Sequence, residues 1–150
     1  MLKTNGLLAA MLLSLLAMTG ITYGVGDEPG TVPAVEELSL SAKQSVFDDA
    51  TRDKPLELKS AEDAKAYFSD DQLKVLNKNV DWDKQTVLVF AWRGSGQDKM
   101  EAKVHEKGDD GLLVEFVYTA GRTRDLREHT RFFAVRKGVA WKRSDGKFGR

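Results

Sequence analysis

Apolar and polar positions change rhythm along this 150-residue chain, and each change marks a structural boundary. Leu7 to Met18 (LLAAMLLSLLAM) is a dense apolar block. Residues 25–36 (VGDEPGTVPAVE) carry two of the three prolines and offer little to bury, which predicts a tether. Residues 37–54 are ambiguous, because Leu38, Leu40, Val46 and Phe47 fit either a short strand or an irregular surface segment. Pro55–Lys59 alternates and predicts a short strand. Ser60, followed three positions later by Asp63, resembles a capping box and opens a helix over Ala61–Phe68. Ser69-Asp70-Asp71 repeats the signal before Gln72–Asn77, where Leu73, Val75 and Leu76 can face a core.

From Asp81 the period shortens to two. Gln85–Trp92 (QTVLVFAW) is apolar on both faces, as an inner strand covered on each side must be. Lys99–His105 alternates, with Met100, Ala102 and Val104 on one face and charged residues on the other. The turn residues Lys107-Gly-Asp-Asp-Gly111 lead to a strand over Leu112–Tyr118. A polar connection over Ala120–Thr130 precedes Arg131–Arg136, and Lys137-Gly138 turns the chain into a last strand, Val139–Lys142. The aromatic residues Trp82, Phe90, Trp92, Phe116, Phe132, Phe133 and Trp141 supply the core, with Trp92 next to the polar end of its strand.

The expected fold class is α+β, an antiparallel β-meander of five or six strands with a short helical unit packed on one face. The expected organisation is a signal peptide over 1–24, a linker over 25–36, one domain over 37–143 and a disordered tail over 144–150. Connections alternate between the ends of such a sheet. The turn Arg93-Gly-Ser-Gly-Gln97 and the connection 120–130 therefore share one end. Arg122, Arg124, Arg127 and Arg131 outnumber Asp125 and Glu128 there, and Arg93 adds to the excess. Guanidinium forks suit carboxylate, sulfate or phosphate. Arg93, Ser95, Arg122, Arg124, Arg127 and His129 are thus the candidate ligand-binding residues. The competing reading is an ordinary solvated loop whose arginines pair with neighbouring acids.

Composition narrows the classes. The apolar block, with Lys3 ahead of it and Gly20, Thr22 and Gly24 behind, reads as an export signal cleaved after Gly24 or Gly26. An uncleaved anchor would need about 20 strongly apolar residues, so a retained span is not expected. Without residues 1–24 the chain carries 22 basic and 23 acidic side chains, a balance that points away from nucleic acid. With no cysteine, this chain has no thiol chemistry, Cys-bound zinc or disulfide. No cofactor or metal is expected, and a monomer is.

Gly94-Ser95-Gly96 has the wrong spacing for a hydrolase elbow, and a strand rather than a helix follows it. A hydrolase using Ser95 and His129 is the alternative from another class, and a protease-associated or inhibitor-like interaction module is a third. His105 belongs at the opposite end of the sheet from His129, so no shared zinc site is expected. Asp81-Trp82-Asp83 and Asp109-Asp110 are explained by turn formation.

The run Asp81-Trp-Asp-Lys-Gln-Thr-Val-Leu-Val-Phe-Ala-Trp-Arg-Gly-Ser-Gly-Gln-Asp98, with Gly121-Arg-Thr-Arg-Asp-Leu-Arg127 and His129-Thr130, resembles small exported proteins of unassigned function from planctomycete-type bacteria. The resemblance covers about residues 55–142 and implies a bacterial exported protein, with no reaction or ligand attached. The strand, glycine turn, strand arrangement alone is loosely similar to the carboxy-terminal domain of protease-complex regulatory proteins. The sequence reading is thus a small exported, non-enzymatic domain, periplasmic or secreted, that binds an anionic ligand or an acidic protein partner.

Overall fold

The computed structural model describes residues 31–107 and 111–146. The expected export signal, the first half of the expected tether, the middle of the expected 107–111 turn and the end of the expected tail lie outside the described residues.

The chain is α+β, as the alternation predicts, with seven strands and three short helices among the described residues. In order these are β1 (Val35–Leu38), α1 (Val46–Asp49), β2 (Leu56–Leu58), α2 (Ala61–Ala64), α3 (Asp70–Asn79), β3 (Gln85–Ser95), β4 (Lys99–Glu106), β5 (Leu112–Thr119), β6 (Leu126–Arg136) and β7 (Ala140–Asp145). The strands divide into two sheets rather than one continuous meander. A four-stranded antiparallel sheet has the order β1-β6-β3-β2, and a three-stranded sheet has the order β4-β5-β7. β4 and β5 pair antiparallel, whereas β5 and β7 run parallel.

The larger sheet is the middle of three layers, which is why β3 is apolar on both faces. Val87, Val89 and Ala91 of β3 join Phe132 and Ala134 of β6 against Val46, Ala64, Phe68 and Leu76 of the helical layer. The alternate residues Leu88, Phe90 and Trp92, with Phe133 and Val135, pack on Val114, Phe116 and Tyr118 of the smaller sheet. Phe90, Phe116 and Phe133 form an aromatic triangle with centroid separations of 5.0, 6.0 and 4.9 Å. Truncating any one of these buried rings costs about 3–5 kcal/mol.

The departures from a meander occur where the chain changes layer. Neither the 96–98 turn nor Lys137-Gly138 closes a hairpin within one sheet: each carries the chain between the two. Gly138 adopts φ +84°, a left-handed conformation that only glycine takes without strain. β6 returns to pair with β3 over all eleven residues, from Gln85↔Arg136 to Ser95↔Leu126. It therefore starts within the segment expected to be a loop: residues 126–130 are polar, but pairing with β3 holds them extended.

Local signals fare better. Ser60 Oγ accepts the Asp63 amide at 3.2 Å, and an Asp63 carboxylate oxygen accepts the Ser60 amide at 3.1 Å, completing the capping box. The helix it opens closes at Ala64. Ser69 makes no side-chain cap bond. In α3, Leu76 is buried and Leu73 lies against the core, but Val75 faces solvent. The expected tether ends sooner than its composition suggests, because Val35 is buried and pairs with Val135. The expected tail likewise begins late, since Ser144 and Asp145 belong to β7. No helix among the described residues is long and apolar enough to cross a membrane.

Candidate functional site

The two segments expected to share an edge do so, by direct strand pairing. Trp92 opposes His129, Arg93 opposes Glu128, Gly94 opposes Arg127 and Ser95 opposes Leu126. Opposed residues share a face. Arg93 and Glu128 therefore project toward the helices, and Trp92 and His129 toward the smaller sheet.

A buried carboxylate holds this rim together. Asp98 is 5 % exposed and accepts three hydrogen bonds: from Trp92 Nε1 at 3.1 Å, the Tyr118 hydroxyl at 2.8 Å and the Gly121 amide at 2.7 Å. Burial alone would raise its pKa. The bonds from Gly121, Tyr118 and Trp92 outweigh burial and hold it below the ordinary carboxylate range. Ser95 ties the same two connections together on the exposed side. Its Oγ lies 2.7 Å from Thr123 Oγ1 and accepts the Thr123 amide at 3.1 Å and the Gln97 amide at 3.3 Å.

His129 stacks on Trp92, with centroids 5.0 Å apart and planes 13° from parallel. Its Nε2 lies 2.8 Å from the main-chain oxygen of Ser95, not the hydroxyl. Ser95 and His129 are therefore neighbours without forming a nucleophile–base pair. Both act within the framework of the rim.

The arginines differ in their partners. Arg93 donates from Nε at 3.1 Å and Nη2 at 3.0 Å to one oxygen of Glu128, and its guanidinium lies 5.2 Å from the centre of the Phe47 ring. Gln44 and Arg93, in that order, hold the Glu128 carboxyl below its usual value. Arg127 donates to Asp125 at 2.6 Å. Asp125 is pulled down to about 2, first by the Thr123 hydroxyl and then by the Gly96 amide and Arg127. Arg131 lies 3.6 Å from Glu37. Arg122 and Arg124 are exposed, and Arg124 forms no hydrogen bond or ion pair among the described residues. Two positions on, Leu126 is 76 % exposed, the more exposed of the two large apolar side chains that face solvent among the described residues.

Sequence reasoning missed Asp98 and Arg52. A buried Trp92 needs a partner for its indole N–H, and Asp98, six positions on, was the available signal. Arg52 lies over the Tyr118 ring at 4.4 Å, while Arg143 reaches Asp53 at 2.9 Å. Together these close the sandwich edge beside β3. Between that closure and the rim is an open cleft of about 400 Å³, lined by Phe47, Thr51, Arg52, Asp53, Trp92 and Arg93 among others. His105 sits on the smaller sheet, 2.8 Å from Glu115. Among the described residues, no group of three or more His, Asp or Glu side chains could hold a metal ion. No protein-family model, curated protein or solved structure matches this chain.

Proposed function

We propose that the chain is a small exported, non-enzymatic domain that binds an acidic ligand through the arginine-bearing rim of β3 and β6. The observation that carries the reading is the occurrence of an unbridged, exposed Arg124 and an exposed Leu126 where the connection fixed from beneath by Asp98 enters β6. A mobile loop would lose entropy on binding, and a rim already tied to β3 and β5 loses less. Arginine suits the task, because its planar fork meets a carboxylate or sulfate through two parallel bonds. Arg127, two residues from Leu126's neighbour Asp125, is held by that carboxylate and leaves Arg124 as the rim's unbridged cation among the described residues. The export reading rests on the pattern of residues 1–24.

Retention on carboxylated and sulfated matrices tests the proposal. The wild-type chain elutes at a salt concentration that falls for Arg124→Ala and falls further for Arg124→Glu, with thermal stability unchanged. Equal retention of all three proteins would reduce the rim to ordinary surface.

A further inference from the structure

The outer edge of β6 is only partly covered. β1 pairs with residues Phe132–Val135 alone, whereas β3 pairs with all eleven residues on the other side. After Leu38 the chain leaves the sheet, and the Ser41 amide bonds to the Gln72 side chain in the helical layer. Among the described residues, the outward backbone groups of Leu126–Arg131 therefore have no strand beside them. This open ladder is six residues long, about 20 Å. Exposed edges are usually guarded by charged side chains, lysine above all, by proline or by a bulge. The stretch Leu-Arg-Glu-His-Thr-Arg has no lysine, proline or glycine, and its guards are the charges of Arg127, Glu128 and Arg131. The outer strand of the smaller sheet, β4, does carry Lys99 and Lys103.

Charge decides what can pair there. Arg127, His129 and Arg131 share one face of β6, and Leu126, Glu128 and Thr130 share the other. Opposed residues on adjacent strands must share a face, so an antiparallel second copy can add only in registers that set odd positions against odd. Centred on Glu128, such a pair places Glu128 against its own copy and Arg127 against His129. Centred on His129, it places Arg127 against Arg131. Both long registers thus oppose like charges, which is destabilising. A strand with carboxylates at alternate positions has the opposite outcome on the Arg127, His129, Arg131 face, where its carboxylates compete with Asp125 for Arg127 and with Glu37 for Arg131.

We infer that Leu126–Arg131 is a strand-addition site for an extended acidic segment of a partner protein. The segment continues the line of β1, antiparallel to β6. Its main chain bonds to the open ladder, and its alternate carboxylates face Arg127 and Arg131. This deepens the proposed function and rests on it, since it specifies the acidic ligand and how it is held.

The test uses the full chain, amide hydrogen exchange, and two short synthetic peptides that alternate valine with glutamate or with lysine. The glutamate peptide is expected to protect amides at alternate positions within 126–131 and leave those of 132–135 as they were. The lysine peptide is expected to protect none of these amides. In the doubly substituted chain Arg127→Glu, Arg131→Glu, affinity for the glutamate peptide falls about tenfold and the lysine peptide begins to bind, as two attractive cross-strand pairs become repulsive. The wild-type protection pattern stands as evidence even if that variant folds poorly. Protection of 126–131 in the free chain would mean that its own residues cover the edge, and concentration-dependent dimers would mean that a second copy does; either overturns the inference. Retention on acidic matrices without protection of 126–131 overturns strand addition and leaves the rim reading standing. Loss of retention as well removes the rim reading itself.

Discussion

Asp98 and Gly121 meet at 2.7 Å, carboxylate oxygen to amide nitrogen, across 23 residues of chain. That bond fastens the turn after β3 to the connection before β6, and the same carboxylate also satisfies Trp92 and Tyr118. Asp98→Ala would leave all three donors unsatisfied, those of Trp92 and Tyr118 buried. The expected loss is about 3–5 kcal/mol, or roughly 10 °C or more in Tm. Asp98→Asn keeps the shape but turns an amide N–H₂ toward at least one donor, with an expected loss of about 2 kcal/mol. Because the folded-state pKa is depressed, the stabilisation is present above the ordinary carboxylate value and declines as pH falls through the lower one. Denaturant titrations at neutral pH and near pH 3 measure both effects, and a variant as stable as wild type would contradict this account of the rim.

Gly121 is held by space as well as by its amide. A Cβ there would stand 2.5 Å from Ser95 Oγ and 2.6 Å from the Gln97 carbonyl carbon. The serine can rotate, but the Gln97 backbone cannot move without disturbing the turn that presents Asp98. Gly121→Ala is expected to destabilise the fold by about 1–3 kcal/mol and to speed exchange of the Thr123 amide, which Ser95 holds. Unchanged exchange at Thr123 would show that the connection is not braced in this way.

On the outer face of the smaller sheet, Glu115 accepts a bond from Lys142 at 3.0 Å and lies 2.8 Å from His105 Nε2. Lys142, then Ser144, then His105 hold its carboxyl down at about 2. Its contribution is therefore complete above the ordinary glutamate value and disappears as pH drops toward 2. A carboxyl ¹³C titration of Glu115 is expected to show a midpoint near 2. Glu115→Gln is expected to flatten that part of the stability profile. A midpoint at the ordinary glutamate value would mean that the cluster does not form in solution.

The local elements were readable because each has a local cause. The Ser60–Asp63 capping box, the alternation of β4 and the two-faced hydrophobicity of β3 all follow from near neighbours in sequence. The pairing of β3 with β6 was not readable, because period-two alternation assigns residues to faces and says nothing about which strand lies alongside. The meeting of Arg93 with the 120–130 segment was anticipated, yet through end-to-end alternation of loops rather than the Arg93↔Glu128 register that produces it. The excess of arginines was visible, but not that Glu128 and Asp125 would claim Arg93 and Arg127. That outcome depends on side-chain reach across strands. Val75 was misplaced because α3 buries a narrower stripe than its apolar residues suggest.

The middle sheet has a consequence for how the molecule comes apart. Val87, Val89 and Ala91 of β3 belong to one hydrophobic cluster and Leu88, Phe90 and Trp92 to the other. A single strand is therefore the shared wall of two interiors. If β3 slips by one position, both clusters exchange their linings at once; if it detaches, both open to water. The two interiors are thereby bound to melt as one cooperative unit, with neither able to survive as a folded remnant of the other.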